Sequence, residues 1–155
     1  MSYGIWYVEV TNYRINVMAR TKVKPGDVFQ IPLPDGRFAY GRVYDDASVG
    51  IYRILTAEPF QPPTGSRSFM FIVGLYSDIL ERGHWRIIGH DAFDPQESTW
   101  PPPYYVRDMI SGEYQMYHKG ALRSAEPDEV KGLEEAAVYD ADHIIERIVR
   151  ESGTQ

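Results

Sequence analysis

The sequence of 155 residues contains no cysteine, and this absence removes several kinds of chemistry at once. It excludes a disulfide scaffold, a thiol nucleophile and any zinc or iron–sulfur site held by cysteine. Long apolar runs are also lacking: no stretch approaches the roughly 20 residues of a membrane-spanning helix, and no basic-then-apolar leader opens the chain. We therefore expect a cytoplasmic protein without a membrane partner.

Negative charge is in excess, but only in the C-terminal part of the chain. Residues 1–123 hold 13 of the 16 Lys and Arg and 13 of the 22 Asp and Glu, so their charges cancel. Residues 124–155 hold the other 3 basic and 9 acidic residues, and thus the whole net charge of −6. A neutral body with an acidic end disfavours nucleic-acid binding and favours a basic protein partner. The alternative is a solvated acidic face that serves solubility.

The pattern of hydrophobic residues predicts a mainly β protein. Asp35-Gly36 between two alternating segments predicts a hairpin over Val28–Val43, in which Pro32 places the first strand at an edge or a bulge. Further strands are expected, in chain order, at Gly4–Val10, Tyr13–Ala19, Gly50–Leu55, Phe69–Tyr76, Trp85–Gly89 and Tyr114–Tyr117.

The end of the chain predicts a helix, with Asp140 as N-cap, Ala141–Glu151 as body and Gly153 beyond its end. Its buried residues are expected to be Ile144, Ile145 and Ile148, in an apolar stripe that includes Val149 and leaves Glu146, Arg147, Arg150 and Glu151 facing out. We expect one α+β domain over 1–155, with an N-terminal hairpin extension at 1–20, a β core at 22–121 and the helix at 140–152. The core is expected to be a strongly curved antiparallel sheet or a small SH3-like barrel.

No catalytic motif is recognisable. The four histidines lack the spacing of a metal site, and Gly65-Ser66 lacks the residues of a nucleophile elbow. The adjacent carboxylates Asp45-Asp46 and Glu134-Glu135 would point to opposite faces of a strand. We therefore expect no enzyme, no cofactor and no metal.

A resemblance to a known family begins at Lys24–Val43, which reads KPGDVFQIPLPDGRFAYGRV. This segment resembles the opening signature of the immunity protein 26 family of bacterial polymorphic-toxin systems. Trp85–Gly89, which reads WRIIG, resembles the family's Trp-x-Ile-Ile-Gly strand. Further matching residues follow in the family's order, namely Pro102-Pro103, Tyr104-Tyr105, Gly112, Tyr117 and Gly120. The resemblance spans roughly Lys22 to Glu135.

The resemblance implies a non-enzymatic inhibitor that binds a cognate toxin domain in the cytosol of the producing cell. It implies no catalytic residues, because the shared glycines and aromatics suit turns and core. Many toxins of such systems are basic nucleases, which an acidic surface would attract. Two other classes stay open from the residues alone: a β-barrel module that binds peptides or nucleic acid, and a small hydrolase.

Two groups of residues are candidates for partner binding. The first is acidic and lies in the C-terminal segment; it comprises Glu134, Glu135, Asp140 and Asp142. The second is aromatic and lies within and directly after the proline-rich loop Gln96–Pro103; it comprises Trp100, Tyr104 and Tyr105.

Overall fold

The computed structural model describes residues 5–10, 13–18, 20–64 and 68–153. The strands of these residues are β1 (Ile5–Val10), β2 (Tyr13–Met18), β3 (Asp27–Pro32), β4 (Phe38–Val43), β5 (Ser48–Tyr52), β6 (Phe69–Leu75), β7 (Arg86–His90), β8 (Tyr104–Arg107), β9 (Tyr114–His118), β10 (Ala121–Ala125), β11 (Glu134–Glu135) and β12 (Val138–Tyr139). The helices are α1 (Asp78–Glu81), a 3₁₀ turn (Pro127–Val130) and α2 (Ala141–Ser152).

The strands form three sheets. The largest has six strands in the order β12-β6-β5-β4-β3-β7, and the second has four in the order β10-β9-β8-β11. Both are mixed, since β12 runs parallel to β6 and β11 runs parallel to β8. β1 and β2 pair in an antiparallel two-stranded sheet, as expected for the N-terminal hairpin, while residues 11–12 between them lie outside the described residues. The mainly β architecture with a C-terminal helix is confirmed.

The expected barrel or strongly curved antiparallel sheet is not what the described residues form. Neither mixed sheet is closed or strongly curled. The physical reason is that the six-stranded sheet buries apolar residues on both faces, whereas a barrel buries its interior face. One face carries Phe29 and Ile51 beneath α2, and the other carries Val28, Tyr40 and Tyr52.

The hairpin predicted over Val28–Val43 is confirmed, with Val28 opposite Arg42 and Pro32 opposite Phe38. Its turn needs a glycine, because Gly36 has φ of 87°. The edge position predicted for the first strand is wrong, since β3 also pairs with β7 on its other side. That second pairing extends only to Gln30, so Pro32 lies beyond it, and the irregularity falls at Val28/Phe29.

The helix α2 covers one face of the six-stranded sheet. Ile144 and Ile148 are fully buried as predicted, but Ile145 is half-buried and Val149 is 47% exposed. Arg147, expected to face solvent, lies with its guanidinium carbon 4.1 Å from the centroid of the Phe71 ring. The side of α2 that faces the sheet therefore includes Arg147 and leaves Val149 exposed, because the apolar contacts of the helix centre on Ile144 and Ile148.

Gly41 of the family signature has a packing role. A Cβ at this position would overlap with the ring of Phe29 on the neighbouring strand. The glycine thus lets that ring lie across β4, where it is parallel to the ring of Trp85 at a centroid distance of 5.7 Å. These signature residues serve the scaffold.

Candidate partner-binding surface

The parallel pairing of β11 with β8 brings the acidic and aromatic candidates together. Glu134 lies opposite Tyr104, and Glu135 lies opposite Tyr105. Four of the seven predicted residues are thus neighbours in one sheet, although about thirty positions separate them in the chain. Directly opposite residues share a face of a sheet, so each carboxylate lies on the same face as one tyrosine.

The carboxylate of Glu134 is already hydrogen-bonded within the fold. Its carboxylate accepts two hydrogen bonds from the guanidinium of Arg147, one of them 3.0 Å long. The hydrogen bonds to Glu134 raise the pKa of Arg147 further above its ordinary value, against the effect of burial. The pair is charge-assisted and bidentate, so Glu134 joins β11 to α2.

Tyr104 is also held inside the structure. It is only 6% exposed, and its hydroxyl donates a hydrogen bond of 2.8 Å to Oγ of Ser48 on β5. Burial raises the pKa of Tyr104 to about 12, so the hydroxyl stays protonated and remains a donor at physiological pH. Tyr104 therefore connects the two mixed sheets.

The other predicted residues are more accessible. Glu135 and Asp142 are exposed. Asp140 is the N-cap of α2, as predicted, since its carboxylate accepts a hydrogen bond from the backbone N–H of His143 at 2.9 Å. Tyr105 is half-buried and meets the ring of Tyr114 edge-on at a centroid distance of 6.0 Å.

Trp100 is half-buried at the end of a long loop that follows β7. The start of this loop is fixed by Arg42, which is completely buried. Its guanidinium donates hydrogen bonds to the carbonyls of Asp91 at 3.0 Å and Ala92 at 2.9 Å, and it stacks on the Phe93 ring at 3.7 Å. The sequence did not predict the role of Arg42, because a buried arginine in an alternating strand cannot be distinguished by pattern from an exposed one.

A cleft of ≈ 260 Å³ lies between the two mixed sheets. Its lining contains one carboxylate, Asp46, and no histidine. That carboxylate accepts a hydrogen bond of 2.7 Å from the hydroxyl of Tyr117, which raises the pKa of Tyr117. This cleft therefore gives no support to the alternative of a small hydrolase, which would need clustered carboxylates or histidines.

Across 5–10, 13–18, 20–64 and 68–153, no three His, Asp or Glu side chains gather closely enough to hold a metal ion. None of the helices in the described part of the chain has the length and apolar character needed to cross a membrane.

Comparison with known protein families gives a match over much of the chain. The sequence model of immunity protein 26 matches residues 24–116, a narrower range than the expected Lys22 to Glu135. No curated protein and no solved structure matches the chain. The matched range runs from the turn before β3 into β9, so it includes most of the six-stranded sheet and the Lys24–Val43 signature. Because this match covers more than half of the sequence, the chain belongs to the immunity protein 26 family.

Proposed function

We propose that this chain is a cytoplasmic immunity protein that binds one cognate toxin domain and blocks it by protein–protein contact. The observation that carries the proposal is the family membership over residues 24–116. The family consists generally of non-catalytic inhibitors, and the prediction of a non-enzymatic protein is confirmed on that ground. Inhibition then requires only that the bound chain block or distort the active site of the toxin.

The partner that fits best is a basic toxin domain, such as a nuclease. The excess negative charge lies in residues 124–155, which are entirely C-terminal to the family match. A basic partner would be steered toward this segment, since complementary potentials raise association rates. A nuclease carries basic surface to hold its own polyanionic substrate, so an acidic inhibitor would compete for the same surface.

Within the acidic segment, we assign partner contact to the accessible candidates Glu135 and Asp142. Tyr105, half-buried and directly opposite Glu135, adds aromatic area beside that carboxylate, and the half-buried Trp100 is a further aromatic candidate. The three remaining candidates support this surface through hydrogen bonds within the fold. Glu134 holds α2, Asp140 caps it, and Tyr104 joins the sheets.

The test is co-expression in a host that lacks the system. The toxin to be tested is the C-terminal domain of the protein encoded immediately upstream of this gene, where we expect a large toxin, and it is expressed from an inducible promoter. We expect this chain to restore growth against that domain and to leave an unrelated toxin active. A Gly41→Leu variant, which disrupts the packing of Phe29, is the matched control and should not rescue.

Two results would overturn the proposal. One is continued killing while the wild-type chain accumulates as a folded protein. The other is protection against both toxins, which would indicate a general effect on the host. Binding of DNA or RNA by the purified chain at physiological salt would instead favour the nucleic-acid module considered from the sequence.

A further inference from the structure

The turn between β8 and β9 presents two large apolar side chains to solvent. Met109 is 94% exposed and Ile110 is 100% exposed. Neither side chain contributes burial to the fold, and hairpin turns ordinarily carry small or polar residues. Two adjacent apolar residues of this size at the tip of a hairpin are a feature without a role in folding.

The turn is held in one shape by its own hydrogen bonds. The carboxylate of Asp108 accepts from the backbone N–H groups of Ile110 at 2.8 Å and Ser111 at 2.9 Å. The N–H of Gly112 donates to the carbonyl of Asp108, and the N–H of Asp108 donates to the carbonyl of Glu113. Because the backbone is already ordered, placing Met109 and Ile110 in a partner costs little further conformational entropy.

An acidic groove adjoins this tip. It has a volume of ≈ 380 Å³ and lies between the end of the turn and the end of β10. Its lining includes Glu113 and Glu126 and contains no lysine or arginine. Glu113 is exposed, so its carboxylate is available to a cation that enters from a partner.

From these two features, we propose that the Met109–Ile110 tip is the apolar anchor of the interface and that the Glu113 groove receives a basic side chain of the same partner. The partner is the basic toxin domain, so this inference rests on the proposed function and specifies where that domain docks. A lipid surface fits poorly, because the anionic leaflet would repel Asp108 and Glu113. A second copy fits poorly as well, because each copy carries a net charge of −6.

The anchor is tested with a Met109→Ser/Ile110→Ser double variant of the full chain. The probe is the purified upstream-encoded toxin domain, inactivated at its catalytic centre, and binding is measured by surface plasmon resonance. We expect Kd to rise at least about a hundredfold, mainly through a faster off-rate, as for central apolar anchors. The thermal midpoint should not change, because both side chains are exposed. Val149→Ser, another exposed apolar residue at 47%, is the matched control and should bind normally.

The groove is tested separately with Glu113→Lys. We expect this variant to slow association and to lose part of the salt dependence of the wild-type chain. Glu58→Lys, with the same change of charge at an exposed position in the loop after β5, should have a smaller effect.

The outcomes separate the two proposals. Wild-type binding together with unchanged binding of the double variant overturns the tip as anchor and leaves the immunity function standing. Absence of wild-type binding overturns the immunity function with this partner and, with it, the docking surface. Self-association or vesicle binding that the double variant abolishes, while toxin binding persists, assigns the tip to another occupant and overturns the inference.

Discussion

Arg147 of α2 holds the carboxylate of Glu134 on β11 with two hydrogen bonds, and its guanidinium covers the ring of Phe71 on β6. The side chains of the pair are 15% and 32% exposed. A second carboxylate, Glu151, accepts from the same arginine at 2.8 Å. One arginine thus joins the helix to both mixed sheets.

Replacing Glu134 by Gln should destabilise the protein. The substitution keeps the size of the side chain but removes the negative charge, so the mostly buried guanidinium loses its stronger partner. We expect a loss of about 1.5–3 kcal/mol in the free energy of unfolding, measured by urea titration. Glu135→Gln, at the exposed neighbouring position, should change it by less than about 0.5 kcal/mol. Equal stability of the two variants would contradict a structural role for the pair.

Much of the fold could be predicted from the local sequence. The hairpin at Val28–Val43 follows from Asp35-Gly36 and from alternation, because a short turn fixes its own register. The helix α2 follows from its N-cap Asp140 and its apolar period. Both are local signals, since the residues that decide them are near each other in the chain.

The sheet order could not be predicted, because it depends on short strands with little pattern. β11 and β12 contain two residues each, and both form parallel pairs with distant strands. A two-residue strand has no alternation to detect. Their placement nevertheless decides that the sheets are mixed and that Glu134 meets Tyr104.

Which of the candidate residues are accessible could not be predicted from the sequence, for a related reason. Charge and aromatic content identify residue types, but exposure depends on tertiary contacts. In the sequence, Glu134 looks like a surface carboxylate and Tyr104 like a residue at the end of a loop. In the structure, Glu134 is hydrogen-bonded to Arg147 and Tyr104 to Ser48. Met109 and Ile110 are residue types that are usually buried, yet they are 94% and 100% exposed.

Truncating Ile148 to Ala should be costly. The side chain is 0% exposed and belongs to the main core cluster beneath α2. We expect a loss of about 2–5 kcal/mol, through lost apolar burial and a residual cavity. Val149→Ala on the same helix should cost less than about 1 kcal/mol, because that side chain is 47% exposed. Similar losses at the two positions, measured by chemical unfolding, would contradict the orientation of the helix.

Replacing Ala47 by Gly should stabilise the protein. Asp46 and Ala47 are the central residues of the turn between β4 and β5, and their φ values are 60° and 48°. The left-handed conformation is unfavourable for alanine but open to glycine. We expect a gain of about 1 kcal/mol, seen as a higher thermal midpoint. Ala121→Gly, in an exposed strand position, should lower it, since glycine in a strand costs about 0.5–1 kcal/mol.

The β8–β9 turn should loosen only in acid. The backbone N–H groups of Ser111 and Ile110 lower the pKa of Asp108 below its ordinary 3.8. A lowered pKa in the folded state adds stability to the turn above the unfolded value, and this stability is lost as the pH falls through the folded value. We expect the Asp108 carboxyl to titrate below pH 3.8 by ¹³C NMR, with faster amide exchange of Ile110 and Ser111 as it protonates. Asp108→Asn should show no such step, and a midpoint at or above 3.8 would contradict the observed hydrogen bonds.

Reversing exposed charge in the acidic segment should slow toxin binding without unfolding the chain. Reversal of all four predicted carboxylates would also remove the partner of Arg147 and the cap of α2, so the informative variant is Glu135→Lys/Asp142→Lys, which leaves Glu134 and Asp140 intact. We expect its on-rate toward the inactivated toxin domain to fall by about tenfold at low salt. The reduction in on-rate should become smaller at physiological ionic strength, where screening limits the range of interaction between exposed charges to about 8 Å.

The neutral variant Glu135→Gln/Asp142→Asn should show a smaller reduction in on-rate with the same dependence on salt. Since exposed charges at an interface act mainly on association, the off-rate of these variants should change less than that of the Met109→Ser/Ile110→Ser variant. An unchanged, salt-insensitive on-rate would mean that the acidic segment serves solubility and that association is directed from elsewhere on the surface.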